Sequence, residues 1–253
     1  MLLLRDHPAP PPGRTPLQVF LQRRVAGMAF AGGMTVFPGG GVDAGDRTEA
    51  EHWAGPDPQW WGDRFGHPAE LGGALVHAAV RETFEECGVL LAGPDVPAGT
   101  QRYREDLLAR RRTLSDVLTE CGLALSADLL RPWARWITPP GSPRRYDTAF
   151  FAALVPDGQE ADAHTTEAVE ATWWHPDEAL EHWRRGEMQL MPPTSYTLQE
   201  IAEHADSAAV LAAAAGREIR PIVPGVRKEG DLLVAVLPDE TTVPAAGSPD
   251  RPA

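Results

Sequence analysis

Residues 81 to 91 read RETFEECGVLL and place three glutamates, Glu82, Glu85 and Glu86, within five positions. On a helix of 3.6 residues per turn these stand at i, i+3 and i+4 and share one face. Val76, Val80, Phe84 and Cys87 fall on the other side, so an apolar stripe anchors the helix while the carboxylates are presented together. Like charges that close destabilise a helix unless bound cations or Arg81 offset them. Hard divalent ions such as Mg²⁺ or Mn²⁺ take oxygen ligands of this kind. Taken alone, the spacing also suits an ordinary solvated helix face, and the surrounding sequence has to decide.

Working outward, helical periodicity begins near Leu75 and ends at Gly88, a residue suited to the left-handed position that closes a helix. Upstream, LQVFLQRR (17 to 24) alternates as a strand does, and the Gly-rich run from 31 to 46 is expected to hold a strand ending in a tight loop. Residues 47 to 73 form a polar insert whose Trp53, Trp60 and Trp61 are expected to pin it to the body. Downstream, helices are expected at about 102 to 112 and 114 to 121. Residues 131 to 156 then read as two strands joined by a Pro/Gly/Ser turn. PDEALEHWRRGE (176 to 187) has Pro and acids at its start and arginines at its end, as a helix dipole prefers. A further helix or pair is expected from 194 to 215, with short strands near 218 to 223 and 232 to 237. The expected organisation is one domain over 1 to 240, with the insert at 47 to 73 and extra helices at 102 to 121 and 194 to 215. The last residues, 241 to 253, are expected to be a disordered tail. Strands, a helix, more strands and more helices indicate a mixed α/β sandwich and not a doubly wound parallel fold.

Composition narrows the function classes. The chain has 253 residues, with 23 basic against 36 acidic and a formal net charge of −13. That balance argues against a nucleic-acid face or a polybasic membrane surface, and an anionic substrate would need a cation between it and the protein. The two cysteines, Cys87 and Cys121, have no metal-ligand spacing and fit a reducing cytoplasm as small packing residues. The start, MLLLRDHPAPPPG, is too short an apolar run for a signal segment, and nowhere do 18 apolar residues follow one another. A cytoplasmic location is the expectation.

Arg81, Glu82, Glu85, Glu86, Gly88 and the apolar Val89 reproduce the second half of the Nudix box, Gly-x5-Glu-x7-Arg-Glu-U-x-Glu-Glu-x-Gly-U with U apolar. FPGGGVDAGD (37 to 46) resembles its first half, with Gly40 as the box glycine and Asp46 where the glutamate usually stands. The chain thus resembles the Nudix hydrolases. Two departures are visible. Thr83 fills an aliphatic slot, and 34 residues, 47 to 80, separate Asp46 from Arg81 where the standard box has seven. An insert of this kind resembles the subgroup that includes the peroxisomal coenzyme A diphosphatase, as do WITPPGSPRRYDTAFF (136 to 151) and LMPPTSYTLQEIA (190 to 202). The resemblance spans roughly 17 to 205. A coenzyme A signature ahead of the box is met at Leu21, Arg24 and Gly33 and departed from at Ala29.

The resemblance implies a Nudix-type α/β/α sandwich with a mixed sheet plus helical insertions, and hydrolysis of a nucleoside diphosphate linked to another moiety. Glu82, Glu85 and Glu86 would hold Mg²⁺ or Mn²⁺, with Arg81 orienting one of them. Gly39, Gly40 and Gly41 would let the loop approach the helix and offer a carbonyl to the metal. The general base is a box glutamate or a carboxylate of ADAHTTEAVEATWW (161 to 174), Glu167 or Glu170. Arg24, Arg144 and Arg145 are candidates for gripping phosphate, although the last two equally suit pairing with surface acids. Trp136 or Tyr146 suits either adenine stacking or core packing. The expected partner is a small-molecule nucleotide, with no nucleic acid and no membrane, and a homodimer is the assembly considered. Coenzyme A or its thioesters is the first substrate, giving 4′-phosphopantetheine and adenosine 3′,5′-bisphosphate. ADP-ribose, NADH or a nucleotide sugar is the alternative, and a non-catalytic ligand-sensing domain is a third reading. The closing residues Arg-Pro-Ala differ from the peroxisomal Ser-Lys-Leu address.

Overall fold

The computed structural model describes residues 1–27, 31–47, 52–93, 95–140, 142, 144–164, 168–230, 232–237, 240 and 242–244. In chain order the elements are β1 (Leu2–Asp6), β2 (Leu17–Arg24), β3 (Thr35–Val36), β4 (Trp53–Ala54), α1 (Pro58–Phe65), α2 (Ala69–Cys87), α3 (Arg104–Leu108) and α4 (Leu114–Cys121). They continue with β5 (Leu125–Ser126), β6 (Leu130–Ile137), β7 (Asp147–Leu154), β8 (Ala168–Trp174), α5 (Pro176–Arg184), α6 (Pro192–Ala202) and α7 (Ser207–Ala215). The last are β9 (Pro221–Ile222), β10 (Gly225–Glu229), β11 (Leu232–Val236) and β12 (Thr242–Pro244). Short 3₁₀ turns stand at Ala44–Arg47, Ala98–Tyr103 and Ala127–Leu129.

The main sheet runs β3-β2-β1-β7-β6-β9, and β8, off this path, pairs with β2. It is mixed: β1 and β7 are parallel (Leu2 opposite Ala152), as are β6 and β9, while the other pairs are antiparallel. Because successive side chains of a strand point to opposite faces, the sheet feeds two cores. Leu3, Phe20, Phe151 and Ala153 join Trp61, Phe65, Val76, Val80 and Phe84 on the face covered by α1 and α2. Leu2, Leu4, Val19, Leu21 and Ala152 join Leu180, Trp183, Leu198, Ile201 and Val210 on the face covered by α5, α6 and α7. The α/β/α sandwich with a mixed sheet is the observed fold. In β6 a register shift between Pro132 and Ala134 puts the consecutive Trp133 and Ala134 into the same core and accommodates a proline in the strand.

Helix α2 begins at Ala69, six residues before the expected start. Gly72 and Gly73, poor helix formers, obscure its first turns, yet α1 needs them: a Cβ on Gly72 would strike the backbone of Gly62 and Pro58. Its far end is as expected, closing at Gly88 (φ 73°), whose N–H donates to the Phe84 carbonyl. The anticipated insert is therefore partly structure, supplying β4, α1 and the first turn of α2, with Trp61 fully buried and Trp60 39% exposed.

Other expectations shift at their edges. The strand of 31 to 46 is only Thr35–Val36, since the glycines after it serve the site. The helix of 102 to 112 is a 3₁₀ turn followed by α3, which stops at Leu108, and Arg110 then takes a left-handed backbone (φ 54°). The opening residues, for which the sequence suggested no element, form β1. Leu2, Leu3 and Leu4 are all fully buried, and a strand covered on both faces shows no alternation to read. Thr242–Pro244 pairs with β11, so part of the supposed disordered tail is a strand, while 245–253 lie outside the described residues. Among the described residues no helix is long and apolar enough to cross a membrane.

Candidate active site

The acidic face of α2 lies against the loop 37–46 that leaves β3, and three consecutive glycines each meet a different α2 side chain. The Gly39 N–H donates to Glu86 at 2.6 Å. Gly40 has its Cα against the Glu82 carboxylate, where a Cβ would collide with both oxygens and no other residue fits unless Glu82 moves. The Gly41 carbonyl accepts from Arg81 Nη2 at 2.9 Å. A carbonyl of this loop was expected to face a metal; that of Gly41 is met by the guanidinium.

Arg81 is the hub. It donates Nε and Nη2 to the two oxygens of Asp46, each at 2.9 Å, in the fork geometry that suits a carboxylate. Its Nη1 is shared between Glu82 at 2.8 Å and Glu85 at 3.2 Å. Asp46, separated from Arg81 by 34 residues of sequence, thus meets it in space. Burial pushes the Asp46 carboxyl up, but bonds from His77, Arg81 and the Asp43 N–H outweigh it and hold it at about 2. Burial works against the Arg81 charge as well, and the bonds it donates to Asp46, with the fields of Glu82, Asp46 and Glu85, reverse that, so it stays firmly protonated.

Glu85 and Glu86 lack such compensation. Burial drives both up from 4.5 to about 7. For Glu85 the pull of Arg81 is partly cancelled by Glu82, and for Glu86 the repulsion from Glu82 adds to burial against Gly39, Gln22 and Arg24. Gln22, deep in β2, donates its amide to Glu86 at 2.7 Å. Two buried carboxylates shifted this way, with Glu82 beside them, form an oxygen donor set that a hard divalent cation would neutralise. Among the described residues no three such side chains converge into a ready-made cluster. The hydrogen bonds explain this: Glu82 and Glu85 are turned toward Arg81, and Glu86 toward Gly39 and Gln22. The donor chemistry fits the ion.

The segment after the box secures the end of α2. Arg104, itself buried, donates Nε to the Glu85 carbonyl at 2.8 Å and Nη1 to both oxygens of Asp162 at 2.7 and 2.8 Å. The Asp162 N–H donates to the Cys87 carbonyl at 2.9 Å. Carbonyls left over at a helix end are thereby satisfied. Thr83 satisfies its own buried hydroxyl by donating to the Ala79 carbonyl at 2.7 Å, which is how a polar residue occupies an aliphatic slot.

The other expected residues fare differently. Arg24 is near enough to Glu86 for its charge to lower that carboxyl. Arg144 and Arg145 stay exposed in the β6–β7 hairpin, Arg145 donating to the Thr138 carbonyl. Glu167 and Ala29 lie outside the described residues. Glu170 lies within β8 and pairs across the sheet with Arg23 of β2 at 3.4 Å, both more than half exposed, as a solvated surface charge does. Trp136 is core, edge-on to Tyr196, whereas Tyr146 is 38% exposed. A cavity of about 210 Å³ opens beside Glu85, walled by Asp43–Asp46 and Arg81 on one side and by Arg110, Arg112 and Leu114 on the other. Sequence reasoning missed Gln22, His77, Arg110 and Arg112. His77 had a readable signal, standing four residues before Arg81 and so on the same helix face.

Comparison with known proteins bears on this geometry. Residues 63–201 match the family described as the NUDT19 Nudix domain. The chain belongs to that family. As a Nudix hydrolase it is a pyrophosphohydrolase, and the match covers α2 and its carboxylates. It is 27% identical to human acyl-coenzyme A diphosphatase NUDT19 over 93% of this chain and 76% of that protein. It is 29% identical to putative nudix hydrolase 7 of Caenorhabditis elegans over 76% of this chain and 58% of that one. A crystal structure of a NUDIX hydrolase from Alicyclobacillus acidocaldarius superposes with a TM-score of 0.67 at 28% identity, covering 87% of this chain and 95% of the other.

Proposed function

We propose that this Nudix hydrolase cleaves the pyrophosphate of coenzyme A or an acyl-coenzyme A, releasing a 4′-phosphopantetheine product and adenosine 3′,5′-bisphosphate. The observation that carries the chemistry is the face of α2, where Glu82, Glu85 and Glu86 crowd against the Gly39–Gly41 loop under the control of Arg81. The substrate reading is supported by the similarity to human acyl-coenzyme A diphosphatase NUDT19 over nearly the whole chain.

Glu82, Glu85 and Glu86 would hold Mg²⁺ or Mn²⁺, which when bound supplies positive charge to the diphosphate and lowers the pKa of water. Everything else falls to the chain. Arg81 keeps its guanidinium on Asp46 and Gly41 and fixes Glu82 and Glu85 through Nη1. The Gly39 N–H and Gln22 fix one oxygen of Glu86. Arg24 adds positive charge near Glu86, and Arg144 and Arg145 are proposed to swing from their exposed hairpin onto substrate phosphate. Water adds to one phosphorus, the bridging P–O bond breaks, and the water proton passes to a carboxylate for which Glu167 is the proposed acceptor. The free thiols, Cys87 buried and Cys121 half-buried, support a reducing, cytoplasmic setting. Residues 1 to 240 are proposed to act as one Nudix domain.

The test is kcat/KM for coenzyme A, acetyl-coenzyme A, ADP-ribose and NADH in Mg²⁺ or Mn²⁺, with products separated by chromatography. Coenzyme A compounds ranking at least tenfold above the rest support the substrate; a preference for ADP-ribose or NADH keeps the reaction and discards the substrate.

A further inference from the structure

His77 is 1% exposed, and nothing in the reaction uses it. Its Nδ1 stands 3.2 Å from Asp46 Oδ1 and its Nε2 stands 3.1 Å from Ser115 Oγ. Asp46 is a carboxylate and can only accept, so Nδ1 carries the proton that joins the ring to it, while Nε2 shares a hydrogen bond with the Ser115 hydroxyl. One line of contacts results: Ser115 meets His77, His77 donates to Asp46, and Arg81 donates to Asp46 as well. Ser115 belongs to the first turn of α4, a helix of the segment that follows the box, and α4 is itself fixed by a capping box between Thr113 and Asp116. The Asp43 N–H gives Asp46 a further donor at 2.7 Å.

We propose that His77 and Ser115 are positioning residues for the metal helix: through Asp46 they set how Arg81 divides its guanidinium between Asp46 and the glutamates. The stereochemical reason is the length of Asp46. It occupies a box position usually held by the longer glutamate, and the imidazole closes the space behind it and fixes its carboxylate plane. While Asp46 takes Nε and Nη2, only Nη1 is left to Glu82 and Glu85. If Asp46 is released, the guanidinium is free to pair more fully with Glu85 and so compete with a cation. Partners bonded directly to metal ligands change metal affinity or activity by about 10- to 100-fold when removed, and His77, acting through Asp46 and Arg81, belongs at the low end of that range. The inference rests on the assignment of Glu82, Glu85 and Glu86 as cation ligands, and not on the identity of the substrate.

The test is Mn²⁺ binding to the full chain by electron paramagnetic resonance, with steady-state kinetics alongside, for wild type, His77→Leu, His77→Asn, Ser115→Ala and the His77→Leu/Ser115→Ala pair, each checked for folding by thermal melting. Wild type is expected to bind Mn²⁺, and His77→Leu to bind it about tenfold more weakly, with kcat reduced and substrate KM unchanged. His77→Asn places an amide N–H about where Nδ1 stands and is expected to restore most of the affinity. Ser115→Ala should show a smaller loss that adds nothing in the pair, because both act along one line. Unchanged Mn²⁺ affinity in His77→Leu or in Ser115→Ala overturns the proposal, as does equal loss in His77→Leu and His77→Asn. If His77→Leu does not fold, Ser115→Ala alone decides. Wild type that binds no Mn²⁺ removes the cation assignment and this inference with it.

Discussion

At Arg81 four acceptors meet one guanidinium: Asp46, Gly41, Glu82 and Glu85. The arrangement separates two kinds of acid. Asp46 is fully compensated and structural, whereas Glu85 and Glu86 are left with more burial than compensation. Replacing either glutamate by glutamine swaps a charged ligand for a neutral one of the same shape. A metal contributes several kcal/mol to the transition state, with about 1.4 kcal/mol per tenfold in rate, so Glu85→Gln and Glu86→Gln are each expected to lose about 100-fold or more in kcat. Circular dichroism should show both folded. Asp46 makes the contrasting case. Its folded pKa of about 2 lies below the usual 3.8, so its contribution to stability, about 2 kcal/mol, is present at neutral pH and is lost as pH falls from about 4 through 2. Asp46→Asn should therefore unfold at lower urea than wild type at pH 7, and the gap should narrow by about half near pH 3. A gap that does not depend on pH would show that the carboxylate charge is not what matters.

Among the elements, α2 shows what a sequence does and does not disclose. Its acidic face and its end at Gly88 were legible because fixed spacing on a helix is a geometric statement. Its beginning was not, because Gly72 and Gly73 look like helix breakers until α1 is seen packed on them. The same holds at β1, whose three leucines carry no alternation, and at Asp46, whose partner lies 35 positions away and is found only when the insert folds back. His77 and Ser115 belong to separate segments, and no local pattern joins them. Gly72→Ala tests the close approach of α1: a Cβ there meets backbone that cannot turn aside, and overpacking of this kind costs about 1–3 kcal/mol. For a chain of this length the melting temperature should fall by about 2 to 12 °C, with kcat of the folded fraction unchanged. Gly40→Ala should do the reverse, since its Cβ meets the end of a flexible side chain: little change in melting, but a loss of turnover from displaced Glu82.

In the whole molecule the mixed sheet separates two cores, and the site sits at the edge of only one of them, between α2 and the loop from β3. The opposite layer of α5, α6 and α7 packs on the far face of the sheet and contributes no group to the Arg81 network. The family and the reaction class were readable from Arg81, Glu82, Glu85 and Glu86 of α2, from Gly88 and Val89 just after it, and from the glycine loop, because those residues are the chemistry. The cavity wall from Arg110 and Arg112 was not, since it depends on how a segment of 3₁₀ turn and short helices folds over the box. The central claim is that pyrophosphate hydrolysis occurs at the α2 carboxylates. The most direct measurement is the time course of adenosine 3′,5′-bisphosphate released from coenzyme A in Mg²⁺, compared with the same reaction in EDTA and with Glu86→Gln. Release by wild type in Mg²⁺, abolished by EDTA and reduced at least about 100-fold in the folded variant, is the predicted result. Release by Glu86→Gln at the wild-type rate would contradict it.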